Sequence, residues 1–319
     1  MKELPLVSVI IPCYNGEKVM GRLLDSLLNQ TYNHLEIILI NDGSSDNSEQ
    51  IWCLYEKKFN KENIKTKYIY HENQGLGATI NAGLKVVTGE YFCWPDIDDY
   101  LDLQSIEKRV MFLEQNPEFG SVSSDAYCYN EEDLAHPVSR IAEWMTHKYD
   151  VWQFRHLLEG QSIYCPGCHM VRTKCFRDTN PDMQIYPARR GQNNQMLLPI
   201  YYKYKHGYID EPLYNYILYN KSMSSTDETY ERAMDRAKEY SDIITYTLNM
   251  IKMDEDNVKY CSKQKRKMEW DNYSNIYIRF GKPIKFLKIY LKLKIYKTDQ
   301  KIEIKRGILS LINKIKRGL

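Results

Sequence analysis

No apolar run in this sequence approaches the roughly 20 residues that cross a bilayer, and no leader-like segment stands out. A membrane-spanning protein is not expected, and a cytoplasmic setting is. There is no G-x-G-x-x-G after the first apolar run and no Gly-Lys-Ser/Thr element, which argues against dinucleotide and P-loop chemistry. The 8 cysteines are scattered. Cys165 and Cys168, with His169 and Cys175 nearby, make one Cys-x-x-Cys cluster, but no second pair stands at zinc-finger spacing. Buried reduced thiols are therefore expected there rather than zinc. Phenylalanine is sparse at 8 residues while tyrosine reaches 27, a balance suited to amphipathic and ligand-facing surfaces. Net charge is only +2, yet this hides an asymmetry. Residues 261–319 hold 17 Lys and Arg against 4 Asp and Glu, and the rest of the chain holds 27 against 38. A basic tail on an acidic body suits an anionic partner surface.

What is present is a repeated alternation of short apolar runs and amphipathic stretches. Residues 7–11 are β-branched at four of five positions and stop at Pro12, as a buried strand does. Residues 17–30 then place Val19, Met20, Leu23, Leu24, Leu27 and Leu28 on one helical face. A second strand is predicted at 35–40, and a helix to about 59 that Ser45 or Asp46 caps. A third strand follows at 65–70, a helix to about 87 after Gly75 and Gly77, and a fourth strand at 91–94. Such repeats build a parallel, doubly wound sheet, whose ligands bind at the carboxyl ends of the strands. Polar clusters fall at four successive ends: Tyr14-Asn15, Asn41 to Ser44, His71 to Asn73, and Asp96 to Asp99. Their recurrence implies one shared cleft. Asp96 and Asp98, one residue apart in extended chain, suit a hard divalent cation that also takes phosphate oxygens. Alone, the triplet with Asp99 reads rather as a solvated turn, with Asp102 capping the next helix.

Four strings in order, VSVIIPCYNGE (7–17), INDGSSDNS (40–48), NQGLGATINAGL (73–84) and DIDD (96–99), resemble the family 2 glycosyltransferases of the GT-A fold. The resemblance covers about residues 5–130. It implies a Rossmann-like, doubly wound and mostly parallel α/β sheet. It also implies an inverting transferase that uses a nucleotide-sugar, a UDP-sugar by preference, with Mg²⁺ or Mn²⁺. By the same resemblance Asp98 and Asp96 hold the metal, Asp96 also faces the ribose, and Asp42 accepts from the base. Pro12, Tyr14 and Glu17 line the nucleoside, and Asn73 and Gly75 flank the diphosphate. Many relatives carry arginine where Ile80 stands.

The acceptor half departs from the family. Inverting transfer needs a base for the acceptor proton. Relatives supply an acidic pair in a Gly-initiated loop, and the matching stretch here, residues 189–199, has Gln192 and Asn193 instead. An amide has no useful proton affinity at neutral pH. Three readings stay open. Asp182 or Asp125 serves as base; Gln192 and Asn193 orient the acceptor while phosphate or water takes the proton; or activity has been lost. Arg189 and Arg190 just before that loop read as diphosphate or acceptor contacts, or as solvated surface. Trp144, Trp152, Phe154, Tyr164 and Tyr186 suit stacking on sugar rings or packing in the core. Residues 210–214 and 219–225 resemble the family's closing strand and flexible loop, with Tyr219 where relatives carry His or Arg.

The expected organisation is a nucleotide-sugar domain at 1–225 and a helical, basic region at 226–319. The basic amphipathic pattern of the tail suits peripheral contact with the inner face of the cell membrane; no recognition motif for nucleic acid accompanies it. The expected partners are a nucleotide-sugar donor and a saccharide or lipid-linked saccharide acceptor, in bacterial surface polysaccharide synthesis. The alternatives are a nucleotidyltransferase on a similar sheet and a non-catalytic donor-binding scaffold.

Overall fold

The structure is a computed structural model that describes residues 4–163, 165–220 and 229–295. The chain forms two compact units: Met1–Asn220 with Tyr246–Ile251, and Lys221–Thr245 with Lys252–Leu319. The predicted loop residues from Lys221 onward, Tyr164, and the terminal basic segment lie outside the described residues.

The first unit opens with β1 (Val7–Cys13), every residue buried except half-buried Pro12. Helix α1 (Met20–Leu28) lays Met20, Leu23, Leu24 and Leu27 against the sheet, as its spacing predicts. Burying each such side chain is worth about 1.5–3 kcal/mol. Strand β2 (Leu35–Asp42) is buried throughout. Helix α2 (Ser48–Lys61) follows, and Asp46 accepts from the Ser48 amide at its first turn at 3.0 Å. Strand β3 (Lys65–His71), helix α3 (Leu76–Leu84) and strand β4 (Tyr91–Cys93) complete the predicted repeat. Strands β1 to β4 pair in parallel, in the order β3-β2-β1-β4.

Beyond β4 the sheet turns mixed. Next come β5 (Tyr100–Leu101), α4 (Ser105–Gln115), β6 (Phe119–Asn130), β7 (Ser139–Arg140) and α5 (Phe154–Leu158). Then follow β8 (His169–Arg172), α6 (Thr173–Thr179), α7 (Gln192–Lys203) and β9 (Lys205–Leu218). The sheet continues from β4 as β8-β6-β9-β5, with β7 on β6. Strands β4 and β8, β6 and β8, and β5 and β9 are antiparallel, while β6 and β9 run parallel with register shifts around Asp125. The antiparallel partner β9 carries the closing strand back beside the acidic segment after β4.

The second unit is helical: α8 (Tyr230–Met250), whose last turn belongs to the first unit, α9 (Glu255–Arg279) and α10 (Pro283–Ile295). Asp254 caps α9 by accepting from the Asn257 amide at 2.8 Å. Lys282 and Lys285 lie over the Tyr230 ring at 5.3 and 4.8 Å. Among the described residues no helix is long and apolar enough to cross a membrane.

Candidate active site

The loops that follow β1, β2, β3 and β4 meet at one edge of the first unit. Tyr14 is 55% exposed there, beyond half-buried Pro12. Asn15 sits at φ 50° and accepts from the Ser45 amide at 2.8 Å, while its own amide donates to Ser44 Oγ at 2.9 Å. Glu17 accepts from both the backbone and side-chain amides of Asn47 at 2.9 Å. Glu17 thus ties the first loop to the second.

Asp42 is 5% exposed at the end of β2. Its carboxylate accepts from the Gln74 amide at 2.8 Å and the Gly75 amide at 3.1 Å, and His71 Nδ1 stands 3.3 Å away. It therefore fixes the loop that carries exposed Asn73 and leads into α3. Gly75 has φ +88°, a conformation that disfavours any side chain. At Gly77 a Cβ would come within 2.7 Å of the Ala188 carbonyl, so the chain at 188 presses directly on α3.

The acidic triplet separates into two roles. Asp99 is 1% exposed, and its carboxylate accepts from Tyr214 Oη and the Ile217 amide, both at 2.8 Å. It pins β9 to the loop and is spent on structure. Asp96 and Asp98 stay half-buried. Burial, then the charge of Asp98, pushes the Asp96 carboxyl up to about 7. Burial also raises Asp98, against the pull of its own backbone amide and Arg22. The Asp96 amide donates to Tyr214 Oη at 3.2 Å. Arg22 Nη2 donates to the Asp98 carbonyl at 3.0 Å and to Tyr219 Oη at 2.6 Å, and Tyr219 Oη donates to the same carbonyl at 3.3 Å. Helix α1 and the end of β9 thus hold the acidic loop from both sides. Two crowded carboxyls that burial makes reluctant to ionise are the environment a divalent cation relieves. Among the described residues no three His, Cys, Asp or Glu side chains gather to hold a metal.

Helix α7 opens at Gly191, in the left-handed region at φ 77°. Gln192 is 7% exposed, and Asn193 Oδ1 accepts from Trp94 Nε1 at 3.1 Å. Trp94 lies two residues before Asp96, so Asn193 joins the acidic corner. Asp182 is not brought there. It is exposed, in a turn that Asn180 closes by accepting from the Gln184 amide at 3.3 Å, and it makes no polar contact among the described residues. Asp125 is fully buried, accepting from the amides of Ala126 and Ala142 at 2.7 and 2.9 Å and paired with Arg140 at 2.7 Å. It is committed to the junction of β6 and β7. Asp102 accepts from the Gln104 amide at 3.1 Å just ahead of α4, where Gln104 is the capping residue. Cys165 and Cys168 are buried, and His169 stacks on Trp94 at 6.0 Å. Of the aromatic candidates, Trp144 and Trp152 are 83% and 53% exposed, Phe154 is buried and Tyr186 half-buried.

The family model described as "Glycosyl transferase family 2" matches residues 8–179. The chain belongs to glycosyltransferase family 2. Among its relatives is the uncharacterized glycosyltransferase EpsJ of Bacillus subtilis, 31% identical over 183 residues, which are 56% of this chain and 51% of that one. The chain spans 26–32% of the length of the curated Rickettsia glycosyltransferases that it matches. Of solved structures, S. aureus TarS 1–349 in complex with UDP-GlcNAc superposes with a TM-score of 0.62 at 20% identity, over 86% of this chain and 73% of that one. The Pyrobaculum calidifontis mannosyltransferase PcManGT, with GDP-Man and Mn2+, gives 0.58 at 12% identity, over 98% and 87%. These likenesses show the GT-A fold: a mostly parallel sheet with helices after it. Within this family 2 chain, Arg22 and Tyr214 hold the acidic loop from outside the four strand-end clusters. Only Tyr214 carried a signal in the sequence, through the likeness of 210–214 to a closing strand.

Proposed function

We propose that the protein transfers a sugar from a nucleoside-diphosphate donor to a saccharide acceptor, with inversion at the anomeric carbon. The observation that carries this reading is the half-buried pair Asp96 and Asp98, held by Arg22, Tyr214 and Tyr219 beside the loop that Asp42 fixes. A bound Mg²⁺ or Mn²⁺ there would supply Lewis-acid stabilisation of the departing diphosphate. In this reading Asp96 and Asp98 hold the cation, and Asp96 also meets the ribose. Asp42 receives the base, its remaining lone pairs being available beside the two amides it already accepts. Pro12, Tyr14 and Glu17 form the nucleoside wall, with Tyr14 as the exposed stacking face. Asn73 and Gly75 flank the diphosphate.

For the acceptor, Gln192 and Asn193 orient the hydroxyl at the opening of α7. A donor phosphate oxygen or water takes its proton, since Asp125 is already paired with Arg140 and exposed Asp182 stands in a turn away from that corner. Exposed Trp144 and Trp152 offer stacking faces for sugar rings. UDP is the favoured nucleotide, and a lipid-linked saccharide in bacterial surface polysaccharide assembly the favoured acceptor. Helix α10, with Ile284 72% and Leu287 53% exposed beside Lys285 and Lys288 and directly after Lys282, suits peripheral contact with an anionic membrane.

A second reading rests on one observation. The side-chain oxygen of Asn193, where a base is expected, is occupied by the Trp94 indole. A donor-binding protein without transfer fits that arrangement. Incubation with labelled UDP-sugars, Mn²⁺ and a panel of saccharides decides between them. Release of nucleoside diphosphate with a glycosylated product supports transfer. Binding without turnover supports the second reading, and release of pyrophosphate would mark a nucleotidyltransferase.

A further inference from the structure

Helix α3 opens beside Asp42 and carries no charged residue of its own, and Ile80 within it is fully buried. A cation beside its first turn comes from a segment more than 100 residues later. Residues 185–188 form a strap between α3 and α7, fastened at three successive points. Asn81 donates from Nδ2 to the Ile185 carbonyl and accepts at Oδ1 from the Ile185 amide, both at 2.8 Å. Gln195 accepts at Oε1 from the Tyr186 amide at 2.6 Å and donates from Nε2 to the Tyr186 carbonyl at 3.3 Å. The Gly77 amide donates to the Ala188 carbonyl at 2.8 Å. Two primary amide side chains each pair both backbone groups of one residue, so the strap is held in one register.

The next residue is Arg189. Its backbone and the start of its side chain pack on Gly75: a Cβ at Gly75 would lie 3.1 Å from Arg189 Cγ and 3.2 Å from Arg189 Cα. Gly75 is the residue whose amide Asp42 holds. Arg189 is exposed, and the stem of its side chain packs on this glycine. The absence of a side chain at Gly75 is what lets the two segments approach.

We propose that Arg189 is a donor-binding residue, its guanidinium taking phosphate oxygens of the nucleoside diphosphate along the Asp42–Gly75 edge. Asn81 and Gln195 are its positioning residues. The inference rests on the donor-pocket reading above and extends it to a residue outside the four strand-end clusters. The planar fork of arginine matches a phosphate group in two-pronged fashion. A cation on a pre-fastened stem loses little freedom on binding, which favours affinity. It also offsets the negative charge that Asp42, Asp96 and Asp98 bring to the same edge.

Calorimetry of the full chain with Mn²⁺ tests this, using UDP and GDP beside uridine and guanosine. Arg189→Ala should weaken the nucleoside diphosphate by about tenfold or more and leave the nucleoside within about twofold. Arg189→Lys should fall between. Unaltered diphosphate affinity in Arg189→Ala overturns the proposal, as does an equal loss for nucleoside and diphosphate, which marks a structural role. If the unmutated chain binds no nucleoside diphosphate, the donor-pocket reading falls and this inference with it.

Discussion

Tyr214→Phe isolates one hydroxyl at the centre of the acidic loop. The ring is fully buried and stays in place; only Oη is lost. That atom donates to Asp99 at 2.8 Å and accepts from the Asp96 amide at 3.2 Å. Burial, then the charges of Asp98 and Asp96, push the Asp99 carboxyl well above its ordinary range. Its bond with Tyr214 therefore falls between the neutral and charged classes, about 1–3 kcal/mol. Leaving the Asp96 amide without its partner adds about 1 kcal/mol. The Ile217 amide continues to hold Asp99, so the loop loosens rather than detaches. The expected loss is about 2–4 kcal/mol, a drop of roughly 4–16 °C in melting temperature for a domain of this size. Urea unfolding gives the energy, provided the slope with denaturant is unaltered. Metal-dependent UDP affinity should fall as well, because the freed amide belongs to Asp96. A variant that melts within a degree of the parent, with unaltered UDP affinity, would refute the claim that Tyr214 holds the loop.

Two further outcomes are expected. His169 and His206 are fully buried, and burial drives both rings toward neutrality, His169 to about 3 with help from Arg109 and His206 well below its ordinary value with help from His169. Depressed folded values mean that the unfolded chain takes protons first, so these rings subtract stability as pH falls below about 6.5. Raised Asp96 and Asp99 act in the opposite sense, so the clean readout is site-resolved. Nitrogen NMR should find both imidazoles neutral in the folded protein at pH 5, and titration of either near 6.5 would contradict their burial. Removal of residues 300–319 should release the protein from anionic liposomes in a sedimentation assay; equal sedimentation with and without them would reject membrane contact through that segment.

The parallel half of the sheet was legible because its signals are local. Each of β1, β2 and β4 is a buried apolar run, and α1 shows its apolar face at helical spacing. The polar clusters after each strand then converge because parallel strands bring their carboxyl ends to one edge. The antiparallel pairing of β5 with β9 has no such local period. Nor do the bonds that support the acidic loop: Arg22 meets Tyr219 across 197 residues, and Tyr214 meets Asp99 across 115. Asp125 shows the same limit. As a residue type it qualifies for proton transfer, and only its pairing with Arg140 and two amides shows it committed to the sheet. Trp94 read as the end of a strand, yet its indole reaches the amide of Asn193, 99 residues on.

In the proposed site Asp98 helps to hold a divalent cation on the diphosphate of a nucleotide donor. Calorimetric titration of UDP into the protein and into Asp98→Ala, each with Mn²⁺ and with chelator, tests it most directly. Binding should depend on the metal in the parent and be lost in the variant. Equal UDP affinity in the two proteins, with and without metal, would contradict it.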